Sequence, residues 1–544
     1  MLRSMRPEDQ PKIRSEVSSR LFDSVLAQTQ RGDQHRLSEV INDNLYHELE
    51  RLRRGDCDGD PAADKSFYMD LRRKLPHASD AQQQKMLRTL LDRFVDEICG
   101  NFDERVYRVS TRFVPLALGG LLTGLSPGRL LEGLDVQGSL DRHVVIDGDV
   151  EQVHRLNELG TLVFAPTHVS NLDSVVLGYT FHRMGLPPVI YGAGLNLFTN
   201  RLMGYFMRNL GAYTVDRRKT APLYKNSLKE YATATLEMGY NNLFFPGGTR
   251  CRNGAIETQL KKGLLGTSIG AYRNNLTARA DTGRIFIVPV NLSFPLVLEA
   301  ATLIREHLRR SGRARYIIVD DEFSRARRWF DFIRGLVTMD AKIHVTFGDA
   351  LDPFGNDLNE DGDSLDPTGR VIDPARYLHV DGKPAADTRR DMEYTRMVSS
   401  KLMDRYRQNN VALETHALAF TCLELYRRNA SEQDLYRFLR SLGPEMSLNM
   451  DEVEQTLGEL IDQLQALEAA GKIRCTDAIR EGDIDTIIRR GLRSFGTYHT
   501  TPVLERRGVR IHLGDTNLLF YYRNRLEGYG LLGAPNLLEG DTIS

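Results

Sequence analysis

Near the start of the chain, apolar residues recur three and four positions apart. The clearest case is Lys85-Met-Leu-Arg-Thr-Leu-Leu-Asp-Arg-Phe-Val-Asp-Glu-Ile98, whose spacing predicts an amphipathic helix. Residues 1 to about 135 read as an N-terminal helical region, with a break at Ser126-Pro-Gly. From about 140 the pattern changes. Short β-branched and aromatic runs appear at Val144-Val-Ile, Leu162-Val-Phe, Val189-Ile-Tyr, Ala212-Tyr-Thr-Val215, Leu243-Phe-Phe245, Ile285-Phe-Ile-Val288, Tyr316-Ile-Ile-Val319 and Ile343-His-Val-Thr-Phe347. Helix-patterned stretches near 171–184, 197–209, 221–238 and 259–273 lie between them. Alternating strand and helix predicts an α/β layered domain over 136–350, with a mixed, largely parallel sheet.

Asp352 to about Asp391 is rich in Asp, Gly, Pro and Asn, so 351–391 reads as a loop or linker. Its Asp357-x-Asn359-x-Asp361-Gly362 opens like a calcium-binding EF-hand loop. The twelfth position is Thr368 rather than Glu and no amphipathic helices flank it, which argues against calcium. Residues 392–544 are mostly helical again, most plainly at Asp451 to Leu467. A packing domain fits this region best; a winged-helix reader of DNA lacks a basic stripe. No internal repeats are seen.

Composition narrows the classes. The chain has 544 residues, enough for several domains, and a formal net charge of -1. It therefore carries no bulk field for nucleic acid or an anionic membrane, and anion recognition must come from local clusters. Five cysteines stand far apart and form no Cys-x-x-Cys, which points to a reducing compartment without a disulfide framework or zinc site. The first residues lack a signal peptide's apolar core. No run approaches the roughly 18 apolar residues that span a bilayer. The expected location is cytoplasmic, peripheral on the inner face of the cell membrane.

The α/β segment also holds the candidate chemistry. Thr161-Leu-Val-Phe-Ala165 reads as a strand leaving the core, followed by Pro-Thr-His168-Val-Ser170-Asn-Leu-Asp173 and a helix. A histidine there is placed to take a proton from an alcohol, and an aspartate five residues on can hold the other ring nitrogen. Alone the pair is weak, because Ser170-x-x-Asp173 also fits a helix-capping box. Downstream, a strand ends in Arg217-Arg218-Lys219, which is either a solvated turn or part of an anion site. Phe244-Phe-Pro-Gly247-Gly248-Thr-Arg250-Cys-Arg252-Asn-Gly254 runs from a strand into two glycines and two arginines. Glycines let peptide N–H groups approach an anion, and arginine forks match phosphate. Pro289, inside Ile287-Val-Pro-Val, belongs at an edge or a bulge and predicts a strand that opens beside something, or else an ordinary edge strand. Strand ends in such sheets converge on one crevice, so His168, Arg217 and Arg250 can meet there. A base beside several cations calls for a substrate with both a hydroxyl and a phosphate.

The order and spacing of these pieces resemble the glycerolipid acyltransferases, and most nearly the bacterial membrane-associated glycerol-3-phosphate acyltransferases. His168-x4-Asp173, with Ser170, matches the family's first block; Gly211 to Arg217 matches the second. Phe245 to Gly254 matches the third and Pro289 the fourth. Gly194-Leu-Asn-Leu, Tyr224-x6-Tyr231 and Leu519-Phe-Tyr-Tyr-Arg-Asn-Arg are similar too. The likeness is strong over roughly 140–300 and looser on both sides. One departure stands out. The third block has Gly247 where the family carries a glutamate that helps organise the acceptor site, and Cys251 where it carries serine. That change points to altered acceptor preference, lower activity, or an acid supplied from elsewhere.

The resemblance implies transfer of an acyl group from acyl-CoA or acyl carrier protein to the sn-1 hydroxyl of glycerol 3-phosphate at a membrane surface. No cofactor, metal or nucleic acid is implied. His168 would be the base and Asp173 its orienting partner. Arg217, Arg250 and Arg252, with Lys262, would hold the phosphate, and Ser170, Gly247, Gly248 and Pro289 would support the site. Peptide N–H groups after Asn171 are the expected oxyanion donors. The readings that compete are the same chemistry on 1-acylglycerol 3-phosphate, another lysophospholipid or dihydroxyacetone phosphate, and a non-catalytic lipid-phosphate or membrane scaffold. Arg325-Ala-Arg-Arg-Trp329-Phe330-Asp-Phe-Ile-Arg334 is a candidate interfacial segment, or else a partly packed helix with a basic face.

Overall fold

A computed structural model describes residues 5–30, 36–55, 61–111, 142–195, 201–278, 283–311, 342–430, 434–496, 499, 501–534 and 537–538. Four helices open the chain: α1 (Asp9–Gln30), α2 (Leu37–Arg53), α3 (Pro61–Lys74) and α4 (Asp80–Ile98). The predicted helix at 85–98 is the body of α4. Ser79 and Gln82 close a capping box at its N-terminus, and its apolar stripe is buried.

The α/β region follows with strands β1 (Val144–Gly148), β2 (Gly160–Pro166), β3 (Ile190–Gly194), β4 (Ala212–Val215), β5 (Asn242–Leu243), β6 (Arg284–Ser293) and β7 (Ile343–Phe347). Between them run α5 (Val150–Leu159), α6 (Asp173–Arg183), α7 (Arg201–Asn209), α8 (Pro222–Glu237), α9 (Thr267–Ala278) and α10 (Ala300–Ser311). The strands form one 7-stranded sheet in the order β1-β7-β6-β2-β5-β3-β4. Every neighbouring pair is parallel except β6 with β7, so the sheet is mixed and largely parallel, as the alternation predicts.

The sheet is buried on both faces, which is why its strands read as continuous apolar runs. Leu162 and Phe164 of β2 enter one apolar cluster, and Val163 and Ala165 enter another. The first cluster continues into C-terminal helices α12 (Glu414–Arg428), α13 (Met450–Ala469), α14 (Ile484–Phe495) and α15 (Thr516–Arg523). The second includes α11 (Thr388–Gln408), where the Tyr406 hydroxyl donates to the Ala165 carbonyl at 2.9 Å. A third joins the N-terminal helices to α8 and to Ile190 and Tyr213 of β3 and β4.

One alternative is decided and one expectation changes. Pro289 lies not on an edge but in β6, between β7 and β2, opposite Ala165. The physical reason is a bulge. Ile287 pairs with Leu351, yet the Pro289 carbonyl accepts from Gly348 N–H, so three steps on one chain oppose two on the other. Proline's missing N–H falls where the partner backbone swings away. The stretch 351–391 is also more ordered than its composition implies. It forms a small antiparallel sheet through Asp357–Leu358, Ser364–Leu365 and Val371–Ile372, followed by a two-stranded ribbon at His379–Val380 and Lys383–Pro384. The Tyr316–Val319 run, the Ser126 break and the Arg325–Arg334 segment lie outside the described residues. No helix among the described residues is long and apolar enough to cross a membrane.

Candidate active site

β2 ends at Pro166 and α6 begins at Asp173, leaving a short loop that carries His168. Thr167 anchors the loop to β6: its N–H donates to the Val290 carbonyl at 2.9 Å, and its hydroxyl oxygen accepts from Leu292 N–H at 3.0 Å. Asp173 folds back over the loop. Its carboxylate accepts from Val169 N–H at 2.7 Å, from Ser170 N–H at 3.0 Å and from His168 Nδ1 at 2.8 Å. The Asp173 side chain is fully buried and the His168 side chain 13% exposed, which leaves Nε2 as the ring atom with access to the adjoining cleft.

Burial pushes both partners toward their uncharged forms. His168 is held well below the ordinary imidazole value, by burial first and then by the charges of Arg250 and Arg217. Asp173 is raised by burial, against the pull of the Ser170 and Val169 N–H groups and of Arg250 and Arg525. Its oxygens face N–H donors, so a proton on them would find no acceptor in those directions; the geometry stabilises the carboxylate. The pair therefore rests as neutral imidazole, with Nδ1–H donating to Asp173 and a lone pair on Nε2.

The cleft is lined by His168, Asn171, Ser174, the β3 glycine edge and Phe245, together with Arg217, Arg250, Arg252 and Glu306. The predicted cations are not equivalent. Arg250 pairs with Glu299 at 3.2 Å, and Arg252 with Glu306 at 3.0 Å. Arg217 follows β4 and meets no countercharge among the described residues. Its neighbours turn away: Arg218 pairs with Asp216 at 3.0 Å, and buried Lys219 pairs with Glu48 at 3.2 Å and with Glu97. The charge run is thus neither a solvated turn nor a three-cation site; one arginine of the three faces the cleft. Lys262 does not join it. It is exposed at the start of a four-residue helix, Lys262–Leu265, near Glu393.

The supporting residues take other roles than expected. Ser170 does not cap α6: its hydroxyl donates to Glu299 at 2.9 Å. The peptide N–H groups after it are occupied as well. Asn171 N–H donates to Glu299 at 3.0 Å and Leu172 N–H to Ser170 Oγ at 3.2 Å, so these are not free oxyanion donors. Gly248 takes a left-handed φ of 74° and closes a turn onto the Phe245 carbonyl at 2.9 Å.

Four residues to which the motif reading gave no role complete the site. Phe245 stacks on the His168 ring at 4.0 Å between centroids. Glu299 joins Ser170, Asn171 and Arg250, and its place inside the apolar run Phe294-Pro-Leu-Val-Leu-Glu-Ala-Ala was the available signal. Glu257 accepts from His168 N–H at 2.6 Å; burial pushes its carboxyl up while that N–H favours the charged form. Arg525 is buried, bonded to Asn410 and to the Leu292 carbonyl at 2.7 Å each, and lowers the cost of the charge on Asp173 and Glu257. Nearby, Asn524 Nδ2 donates to the Asn253 carbonyl at 2.9 Å, so the C-terminal stretch packs directly on the arginine loop.

Residues 148–293 match the Acyltransferase family model. Over 235 residues the chain is 30% identical to a glycerol-3-phosphate acyltransferase of Pseudoalteromonas translucida (strain TAC 125), a stretch that is 43% of this chain and 25% of that protein. Over 216 residues it is 30% identical to a glycerol-3-phosphate acyltransferase of Histophilus somni (strain 129Pt), covering 39% of this chain and 23% of that protein. The matched stretches thus span about a quarter of the length of these relatives. Among solved structures, the 1-acyl-sn-glycerophosphate acyltransferase of Thermotoga maritima is similar over 47% of this chain and 76% of its own, at 15% identity and a TM-score of 0.25.

Proposed function

We propose that the protein transfers a fatty acyl group from a thioester, acyl-CoA or acyl carrier protein, to the sn-1 hydroxyl of glycerol 3-phosphate. One observation carries the reading: a neutral histidine held by Asp173 opens onto the same cleft as Arg217, a cation without a countercharge among the described residues. A hydroxyl to be deprotonated and a phosphate to be neutralised on one small molecule fit that pairing. The 30% identity to two proteins named glycerol-3-phosphate acyltransferase supports the choice of acceptor.

In this mechanism the acceptor phosphate sits against Arg217, with Arg250 and Arg252 beside it, and the hydroxyl points at His168 Nε2. Nε2 takes the hydroxyl proton as the oxygen attacks the thioester carbonyl. The imidazolium that forms is stabilised by Asp173 through Nδ1–H. Collapse of the tetrahedral intermediate breaks the carbon–sulfur bond, and the departing thiolate recovers the proton from Nε2. No acyl-enzyme is required: the Ser170 hydroxyl is committed to Glu299 and not to the histidine. The product is a lysophospholipid, so release occurs at a membrane surface in this reading.

The test is thiol release from palmitoyl-CoA by the purified protein in detergent or lipid, with and without glycerol 3-phosphate. Release that depends on glycerol 3-phosphate and is lost in His168→Ala establishes the reaction. Release that depends instead on 1-acylglycerol 3-phosphate or dihydroxyacetone phosphate replaces the acceptor. Silence with each acceptor, and with acyl carrier protein as donor, rejects catalysis.

A further inference from the structure

The loop from Phe245 to Glu257 grips His168 at three points. The ring stacks on Phe245, the His168 carbonyl accepts from Cys251 N–H at 2.8 Å, and the His168 N–H donates to Glu257 Oε1 at 2.6 Å. The last contact is the shortest of the three and the only one made by a carboxyl group. Glu257 reaches it across Gly247. A Cβ built on Gly247 would lie 3.2 Å from Glu257 Cγ and 3.5 Å from its Oε1. Gly247 does not adopt a left-handed φ, so its backbone does not demand glycine. What a side chain at 247 would press on is Glu257, which would have to give by a few tenths of an ångström. A carboxylate at 247 and the carboxylate of Glu257 would compete for one volume and repel each other.

We propose that Glu257 is the positioning carboxylate of this site: it fills the space left by Gly247 and fixes the catalytic histidine through its peptide N–H. Its action is indirect, since Glu257 does not line the cleft and touches His168 only through the backbone. Loss of the bond frees the loop to tilt the imidazole, and small displacements of a base cost much rate. The effect on turnover rests on the acyltransferase reading; the effect on the His168 amide does not.

Four variants test it: Glu257→Gln, Glu257→Ala, Gly247→Glu and the double variant Gly247→Glu/Glu257→Ala. Each is followed by hydrogen exchange at the His168 amide and by acyl transfer to glycerol 3-phosphate. Glu257→Gln keeps an oxygen acceptor, so exchange and kcat stay within about 3-fold of the parent. Glu257→Ala speeds exchange by about 10- to 100-fold and lowers kcat by a similar factor, with the acceptor KM nearly unchanged. Gly247→Glu alone is impaired, because two carboxylates meet. The double variant recovers at least 10-fold of what Glu257→Ala loses, since a carboxylate is restored to the same volume. Parent-like exchange in Glu257→Ala overturns the proposal. So does a Gly247→Glu protein as protected and active as the parent. If Glu257→Ala does not fold, a loss in Glu257→Gln equal to that of Gly247→Glu also counts against it. If the parent transfers acyl groups to no acceptor, the function proposed above fails, and the exchange data alone decide the role of Glu257.

Discussion

The Ser170 hydroxyl donates to Glu299 Oε2 at 2.9 Å across 129 residues of sequence. The same carboxylate accepts Asn171 N–H and pairs with Arg250, so a fully buried glutamate from the start of α10 ties the histidine loop to the arginine loop. Glu299→Ala should therefore damage both halves of the site. We expect kcat/KM for the acceptor to fall by about 100-fold, with stability lowered by about 1–3 kcal/mol from donors left unmet. Glu299→Gln retains acceptor oxygen for Ser170 but removes the charge facing Arg250, and its loss should fall between. Steady-state kinetics beside thermal unfolding check this; an alanine variant that is destabilised yet fully active would reduce Glu299 to a packing role.

His168→Ala should lower kcat by about 1,000-fold or more while the fold persists, since a positioned base typically contributes 10²–10⁴. Asp173→Asn should cost kcat too, for a different reason. An amide placed among Val169, Ser170 and His168 donors turns one N–H against them and loses the carboxylate that steadies the imidazolium. Unchanged circular dichroism together with lost thiol release would assign the effect to chemistry.

Among the cations, Arg217 should matter most for acceptor binding. Arg250 and Arg252 already face Glu299 and Glu306, whereas Arg217 meets no countercharge among the described residues. A charge-assisted bond is worth about 1.5–3 kcal/mol, so Arg217→Ala should raise the glycerol 3-phosphate KM by about 10- to 100-fold. The acyl-donor KM should stay put; a shift there instead would move the phosphate away from Arg217. Lys262→Ala should leave both constants unchanged, because that side chain stands outside the cleft.

Much of this site was legible before the fold was known, and the reasons differ by residue. His168, Arg217 and Arg250 each sit just after a predicted strand, so strand order alone brings them to one crevice, with Asp173 and Arg252 following on the same loops. The alternation of apolar runs with helical stretches also reveals a sheet covered on both faces. Long-range partners left weaker marks. Nothing local distinguishes Glu257 from a surface glutamate, because its role comes from a contact across 89 residues with the backbone of His168. Arg525 acts from a C-terminal stretch whose likeness to relatives carried no assigned role. Pro289 left two alternatives open: proline reports a missing ladder bond, and an internal bulge satisfies that condition as well as an edge does. The Asp-rich 351–391 stretch misled because turn residues also build short hairpins, and Asp352 organises one by accepting from Phe354 and Asn356 N–H groups at 2.8 and 2.9 Å.

The pH profile offers the most discriminating reading of the His168 environment. In the proposed mechanism His168 acts only when neutral, and its pKa is held well below 6.5, first by burial and then by Arg250 and Arg217. A depressed imidazole pKa keeps the neutral form populated to lower pH, so the acidic limb of kcat/KM should lie below the ordinary imidazole range near 6.5. Removing a nearby cation relieves part of the penalty on the charged form. Arg217→Ala should therefore move the acidic limb to higher pH, in addition to raising the acceptor KM. Lys219→Ala, which removes a cation committed to Glu48 and Glu97, should not move the limb. Measuring kcat/KM from pH 5 to 8 in the parent and both variants checks the sign. A parent limb at or above 6.5, unmoved in Arg217→Ala, would mean that another group than His168 controls the rate.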